Sequence, residues 1–449
     1  MDKNWKENFR ESAAKISDRQ ISITASVAMS LFIIATALMS VFAMIKRSID
    51  FTMDIFPAII KYMAFPLTSI IVVAVYFLVI AKTKAEGRSF LKIIKSNPLF
   101  VVFAAMVIFI ICSQIYNGMD YALSGFCSAS IAETFPMEIG YFIFVLFGAT
   151  QVKMENHKRL LMRLHIIVSL LVFVAAFVLW NTQVESEFFY DWTPRYSSIY
   201  SNINYYGYYL ALTVPLAAAA FLYEAGIVWK VIAAIAFVSN TVALSLDNTM
   251  GAWVGGFFAM IFIAVAHFII ERKFNVQVLI LLVVFCICMY VPGRIMGTFG
   301  SNLSQLASDV SNIAAGNEAA EHAGSGRMRI WKASLDIANE NSMLGIGFEG
   351  VKYWEYVGAP YNIRPHNEFI QYAMFHGYPT ALLYFIGCLG IFIRALKKKK
   401  IMDGATLCCL CGAFGYLVSS FFGLTVFSTA AFLFIFMGMG YVSEPVKKA

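Results

Sequence analysis

The run PLFVVFAAMVIFIICSQIY, residues 98–116, holds nineteen residues without a charge. As an α-helix rising 1.5 Å per residue it extends roughly 28 Å, close to the ~30 Å hydrocarbon core of a bilayer. It is one of many. Apolar segments recur near residues 22–45, 57–80, 98–116, 136–150, 164–181, 203–223, 227–246, 250–270, 275–292, 378–394, 405–422 and 426–442. The pattern predicts an all-α polytopic membrane protein with about twelve transmembrane helices. Composition agrees: 60% of the 449 residues are hydrophobic and 14% charged, against about 25% charged in an average soluble domain. Cytosolic enzymes and nucleic-acid binders are thereby excluded.

The excess of basic residues sets the expected orientation. With the N-terminus inside, the short inside connections and tails carry 24 Lys and Arg, clustered at Lys3 to Arg19, Lys82 to Lys95, Lys153 to Arg163 and Arg394 to Lys400. The short outside connections carry only Lys46, Arg47 and Arg195. That asymmetry is the positive-inside pattern, and it predicts both termini in the cytoplasm. Residues 1–21 read as a cytoplasmic segment leading into a retained signal anchor, 22–292 as nine spans, 293–377 as an external loop, 378–442 as three more spans and 443–449 as a cytoplasmic tail. Seven of the eight cysteines lie inside apolar runs, so no disulfide framework is expected, and Cys408, Cys409 and Cys411 lack the spacing of a metal site.

The external loop is where function is expected, because long connections in compact proteins carry binding sites or disorder. Its first part, Ser301 to His322, is rich in Asn, Ser, Ala and Gly. Arg327 to Ile337 has the spacing of a short amphipathic helix, and Leu344-Gly-Ile-Gly347 reads as a turn. Pro365 is expected at the first helical position, with His366 and Asn367 in the opening turn of a helix running toward Phe375. Six basic residues, Arg294, Arg327, Arg329, Lys332, Lys352 and Arg364, sit in this loop. Arginine forks grip phosphate oxygens in pairs, and a helix N-terminus adds N–H donors, so these residues suit a phosphorylated ligand; a solvated loop near lipid head groups is the plainer alternative.

Arg195 followed by Ser201-Asn-Ile-Asn204, Ser325-Gly-Arg327-Met-Arg-Ile-Trp331, Leu344-Gly-Ile-Gly347 and Arg364-Pro-His366-Asn367-Glu-Phe-Ile-Gln371, in that order around a late long loop, resembles the O-antigen ligase and polymerase superfamily. The resemblance covers roughly Ile199 to Ile391. It departs at Asp247-Asn-Thr-Met-Gly251-Ala252, where many relatives carry an Arg before the Gly-Ala pair. What the resemblance implies is a metal-independent membrane glycosyltransferase without cofactor. It would move glycan from an undecaprenyl-diphosphate-linked oligosaccharide or polysaccharide to an acceptor glycan at the periplasmic or extracellular face of the cytoplasmic (inner) membrane. Chain-length regulators, flippases and membrane lipid would be its partners.

Such a reaction needs negative charge stabilised on a leaving diphosphate and one proton removed from the acceptor hydroxyl. Arg195 and Arg327 are assigned to the diphosphate with Arg364 and Arg329 in support, Trp331, Asn204 and Asn367 to substrate binding, and His366 to catalysis. Whether His366 is a neutral base or a phosphate-binding cation stays open, because a helix N-terminus lowers a histidine's pKa while a diphosphate raises it. The acid pairs Asp50/Asp54 and Glu185/Glu187 read as ordinary loop charges, and Lys61 as a side chain reaching outward from a span. His267 and Glu138, near span ends, receive no role. A surface-polysaccharide polymerase is favoured; a ligase acting on finished polymer, with a lipid A-core or other acceptor, and a transporter of lipid-linked glycan are the alternatives.

Overall fold

A computed structural model describes residues 3–46, 58–89, 97–118, 135–185, 196–200, 202–273, 275–316, 321–348 and 364–442. Arg195, Asp50, Asp54, Glu187 and Lys352 fall outside these residues. The order is α1 (Lys3–Lys15), α2 (Asp18–Lys46), a π-helical turn (Ile60–Ala64) continuing into α3 (Phe65–Ala85), α4 (Pro98–Asn117), α5 (Phe135–Gln151) and α6 (Glu155–Glu185). After a 3-10 turn (Ser198–Tyr200) come α7 (Ile203–Tyr223), α8 (Ile227–Asp247), α9 (Met250–Glu271) and α10 (Val276–Ile295). The loop region holds α11 (Thr298–Ala315), α12 (Ala323–Glu340) and α13 (Glu368–His376), and the chain closes with α14 (Tyr378–Lys397), α15 (Gly404–Ser420) and α16 (Phe427–Met439).

Among the described residues, nine helices are long and apolar enough to cross a membrane, and α5, α15 and α16 are shorter apolar helices. The protein is therefore a multi-pass membrane protein, and every apolar run of the sequence is a helix. Capping explains why the ends fall where they do. Asn97 accepts from the Leu99 N–H ahead of Pro98, Asn202 from Asn204 N–H, Asn275 from Gln277 N–H and Asp403 from Thr406 N–H.

The helix α7 is the centre of the bundle, buried along most of its length and packed against α8, α9 and α15. It approaches α15 so closely that a Cβ on Gly415 would lie 2.2 Å from the Ala211 carbonyl oxygen. Small residues at such crossings let backbones touch, which matters in lipid because apolar surface alone drives little helix association. By contrast α3 and α10 bury little of their apolar surface, as lipid-facing helices do.

Two expectations are corrected. Lys61 does not reach outward: it is 1% exposed inside the π-helical turn, with its ammonium 5.8 Å from the Tyr62 ring centroid. The polar stretch after Ser301 is not loop over most of its length but α11, whose Leu303, Leu306, Val310 and Ile313 recur every three or four residues in an exposed apolar stripe.

Candidate functional site

The N-terminal part of α12 is not a regular helix. Gly324, Ser325 and Gly326 all have positive φ (62°, 60° and 81°), so the chain makes a left-handed turn before the regular helix starts at Arg327. Ser325 is the costly member, since a Cβ disfavours this region, and the Gly324 N–H is held by the Asp309 carboxylate of α11 at 2.9 Å. Arg327 therefore stands half-buried in the first turn of the regular helix, while Arg329 and Lys332 are exposed. Trp331 is half-buried, its ring centroid 6.3 Å from that of Phe422, and its indole N–H is buried without a hydrogen-bond partner.

The turn at Leu344 to Gly347 is a clasp. The N–H groups of Ile346 and Gly347 donate to the carbonyls of Met374 and Phe375 at the end of α13, and Asn117 and Gln114 of α4 reach Gly345 O and the Phe348 N–H. Gly345 has φ +63°, and a Cβ there would sit 2.4 Å from the Phe375 carbonyl carbon, so only glycine fits. Beneath the clasp, fully buried His376 meets Glu138 of α5 at 2.6 Å through Nε2 and Ser113 of α4 at 3.3 Å through Nδ1. Ser113 gives its only hydrogen to Phe375 O, so His376 Nδ1 donates to Ser113 and Nε2 shares a proton with Glu138. Glu138, which carried no expected role, thus ties α5 to α13. His267 likewise has a local partner, the Tyr223 hydroxyl at 2.8 Å.

His366 lies just before α13, not in its opening turn. Its φ is 50°, and the cap is Asn367, whose Oδ1 accepts from the N–H groups of Phe369 and Ile370. The Asn367 oxygen is therefore committed to the helix, and two of the N–H groups expected to face an anion are already taken. Pro365 sits three residues ahead of the helix rather than at its first position.

His366 is partly buried, and its Nδ1 is enclosed without a hydrogen-bond partner. Burial, then the positive charges of Arg327 and Arg364, push its pKa down to about 4. That effect brings together a histidine and two arginines from segments nearly forty residues apart. Arg364 donates from Nη1 to the Thr425 carbonyl at 3.3 Å, and Arg327 lies within electrostatic reach of Tyr208 on α7. Asn204 sits one turn before Tyr208, and no described contact joins it to Arg327 or His366. Arg329, being exposed, is not part of this grouping.

The sequence did not reveal the connection between α15 and α16, Phe421-Phe-Gly-Leu-Thr-Val426, as a component of the site. Phe422 faces Trp331 and crowds Gly251 at the start of α9, Phe421 stacks on Phe369 at 4.6 Å, the Leu424 N–H donates to the Tyr208 hydroxyl, and Thr425 receives Arg364. Asp247 was also missed as a site-end residue. It ends α8 at 1% exposure against Gly207 and Thr249, and neither carboxylate oxygen makes a hydrogen bond of good geometry, although the Thr249 hydroxyl is close.

A search of curated proteins finds no match to the chain. Residues 233–385, however, match the family model described as O-antigen ligase, a stretch that holds Asp247, Arg327, Trp331, Arg364, His366 and Glu368. The match supports the resemblance of this stretch to the O-antigen ligase and polymerase superfamily.

Proposed function

We propose that the protein is a glycosyltransferase that moves glycan from a polyprenyl-diphosphate donor to an acceptor sugar hydroxyl at the outer face of the cytoplasmic membrane. The observation that carries this reading is the convergence of Arg327 and Arg364 on His366 within the family-matched region. Both positive charges act on His366, and an anion bound beside that histidine would be stabilised by them.

The acceptor oxygen attacks the anomeric carbon, the bond from that carbon to the diphosphate oxygen breaks, and the electron pair leaves with the diphosphate. Arg327 and Arg364 stabilise the charge that grows there, without a proton transfer to the leaving group. The acceptor's proton goes to His366. With its pKa pushed down to about 4, that histidine is neutral at physiological pH, which supports a base over a phosphate-binding cation. A bound diphosphate offsets the two guanidinium charges and so raises the basicity of His366 at the moment a base is needed. Trp331 lies beside the arginine turn, where its apolar ring suits a sugar face and its unpartnered indole N–H a hydroxyl. Arg195, just ahead of buried Tyr196, retains its assignment to the diphosphate through the family resemblance alone.

The acceptor reading is a polymerase, joining one lipid-linked repeat unit to the next. Lipid-linked glycan extracted from a deletion strain tests this: single repeat units are expected, whereas full-length lipid-linked polymer would make the protein a ligase.

A further inference from the structure

Glu368 follows the His366-Asn367 pair, is 0% exposed, and plays no part in the transfer chemistry above. Its carboxylate accepts two hydrogen bonds on separate oxygens, from the Thr425 hydroxyl at 2.9 Å and the Tyr384 hydroxyl of α14 at 3.0 Å. Thr425 is the residue whose carbonyl receives Arg364 at 3.3 Å. The same short connection carries Leu424, bonded to Tyr208, and Phe422, against Trp331.

We infer that Glu368 is a positioning residue: its ionised carboxylate fixes the Phe421–Val426 connection through Thr425 and thereby sets the Arg364 guanidinium for the diphosphate. This rests on the diphosphate reading of the site. A carboxylate offers acceptor sites on both oxygens, so both hydroxyls can be held at once. A protonated acid keeps the second hydroxyl only by reversing that bond and donating to it, a neutral contact weaker than the charge-assisted one. Thr425 is the partner that can move, because it lies in a connection between helices, while Tyr384 is fixed in the wall of α14. Protonation of Glu368 is thus coupled to the place of Arg364.

The surroundings put that protonation in a useful range. Burial raises the Glu368 carboxyl to about 7, against the lowering effect of hydrogen bonds from Thr425, Tyr384 and Ser420 of α15. The other titratable groups facing it are Glu138 of α5 and Cys388 of α14. Glu138 favours the protonated form of Glu368 by repulsion.

The test uses full-length protein in detergent and farnesyl diphosphate as probe, with dissociation constants measured between about pH 8 and about pH 6. Glu368→Gln and Thr425→Val, the latter removing only the hydroxyl, are each expected to weaken binding about ten-fold at the higher pH. Neither should weaken it further on an Arg364→Ala background. Wild type should lose affinity as pH falls relative to Glu368→Gln, a comparison that cancels the titration of the probe itself. Losses from Glu368→Gln and Arg364→Ala that multiply, with wild type still binding, overturn this inference alone. A wild-type protein that does not bind the probe overturns the diphosphate reading and this inference with it. Melting temperatures of all variants accompany the titration, and Thr425→Val decides the outcome if Glu368→Gln does not fold.

Discussion

The two ends of α7 treat charge in opposite ways. At its C-terminal end, fully buried Glu224 receives Arg159 at 3.0 Å and Arg163 at 2.7 Å, and nearby Lys158 reaches Asp403 at 3.3 Å. Lys82 is likewise bound to Asp18 where α3 ends and α2 begins. Toward its N-terminal end, about 24 Å from Glu224 at the Tyr208 position by helical rise, Arg327 forms no ion pair among the described residues and shares its surroundings with Arg364 and His366. Arginines that have carboxylates join helices. Arg327, on a left-handed turn and beside an enclosed histidine nitrogen, joins no helices through a carboxylate among the described residues, which is the feature our proposal reads as a place for an anion.

The largest effect that could break this contrast is on Arg327. Arg327→Ala is expected to reduce glycan transfer by about a hundred-fold or more, as loss of a charge-stabilising donor does, while leaving the melting temperature nearly unchanged. Glycan chain length and thermal unfolding, compared at equal expression, check it. Glu224→Ala should behave in the opposite sense. It leaves two arginines facing each other, but both keep some solvent access, at 18% and 27%, so the loss should be about 2 kcal/mol rather than the 3–5 of a sealed pair. Folded material should retain transfer activity per molecule, which a specific-activity measurement after heat selection would read.

The histidine sharpens the contrast further. Because the pKa of His366 in the fold lies below that of the unfolded chain, the unfolded state takes up its proton first. Its contribution to stability is complete above about pH 6.5 and is lost as pH falls toward about 4. Arg327→Gln removes one repelling charge and should move the titration upward, as should farnesyl diphosphate. Histidine side-chain NMR in micelles, assigned with His366→Gln, would show either shift, and no movement in both cases would separate the histidine from the arginines. The smallest effect belongs to Asn367. Asn367→Ala should cost about 1 kcal/mol through the lost cap and Asn367→Asp should restore it, whereas a substrate contact through the amide N–H would be lost in both.

Much of the bundle was legible because lipid is an exacting solvent: a backbone inside it must satisfy its own hydrogen bonds, so each long apolar run has to be a helix. Asn97, Asn202, Asn275 and Asp403 mark where those helices start. In the loop the local rules gave less. The stripe Leu303, Leu306, Val310 and Ile313 was visible, but the small polar residues between obscured α11. Pro365 pointed to a helix start three residues early, because the positive φ of His366 is imposed by packing and leaves no mark in composition. The arginines and His366 were legible as residue types, and their grouping through the family pattern. Thr425 and Glu368 were not, since their meeting spans 57 positions and rests on the helix packing that brings α13 beneath the end of α15.

The most direct measurement of the central claim is turnover by the purified protein in proteoliposomes, supplied with lipid-linked glycan extracted from the deletion strain. Wild type should release polyprenyl diphosphate as glycan is transferred, and Arg327→Ala, folded to the same melting temperature, should release essentially none. Equal release by the two proteins would contradict the account.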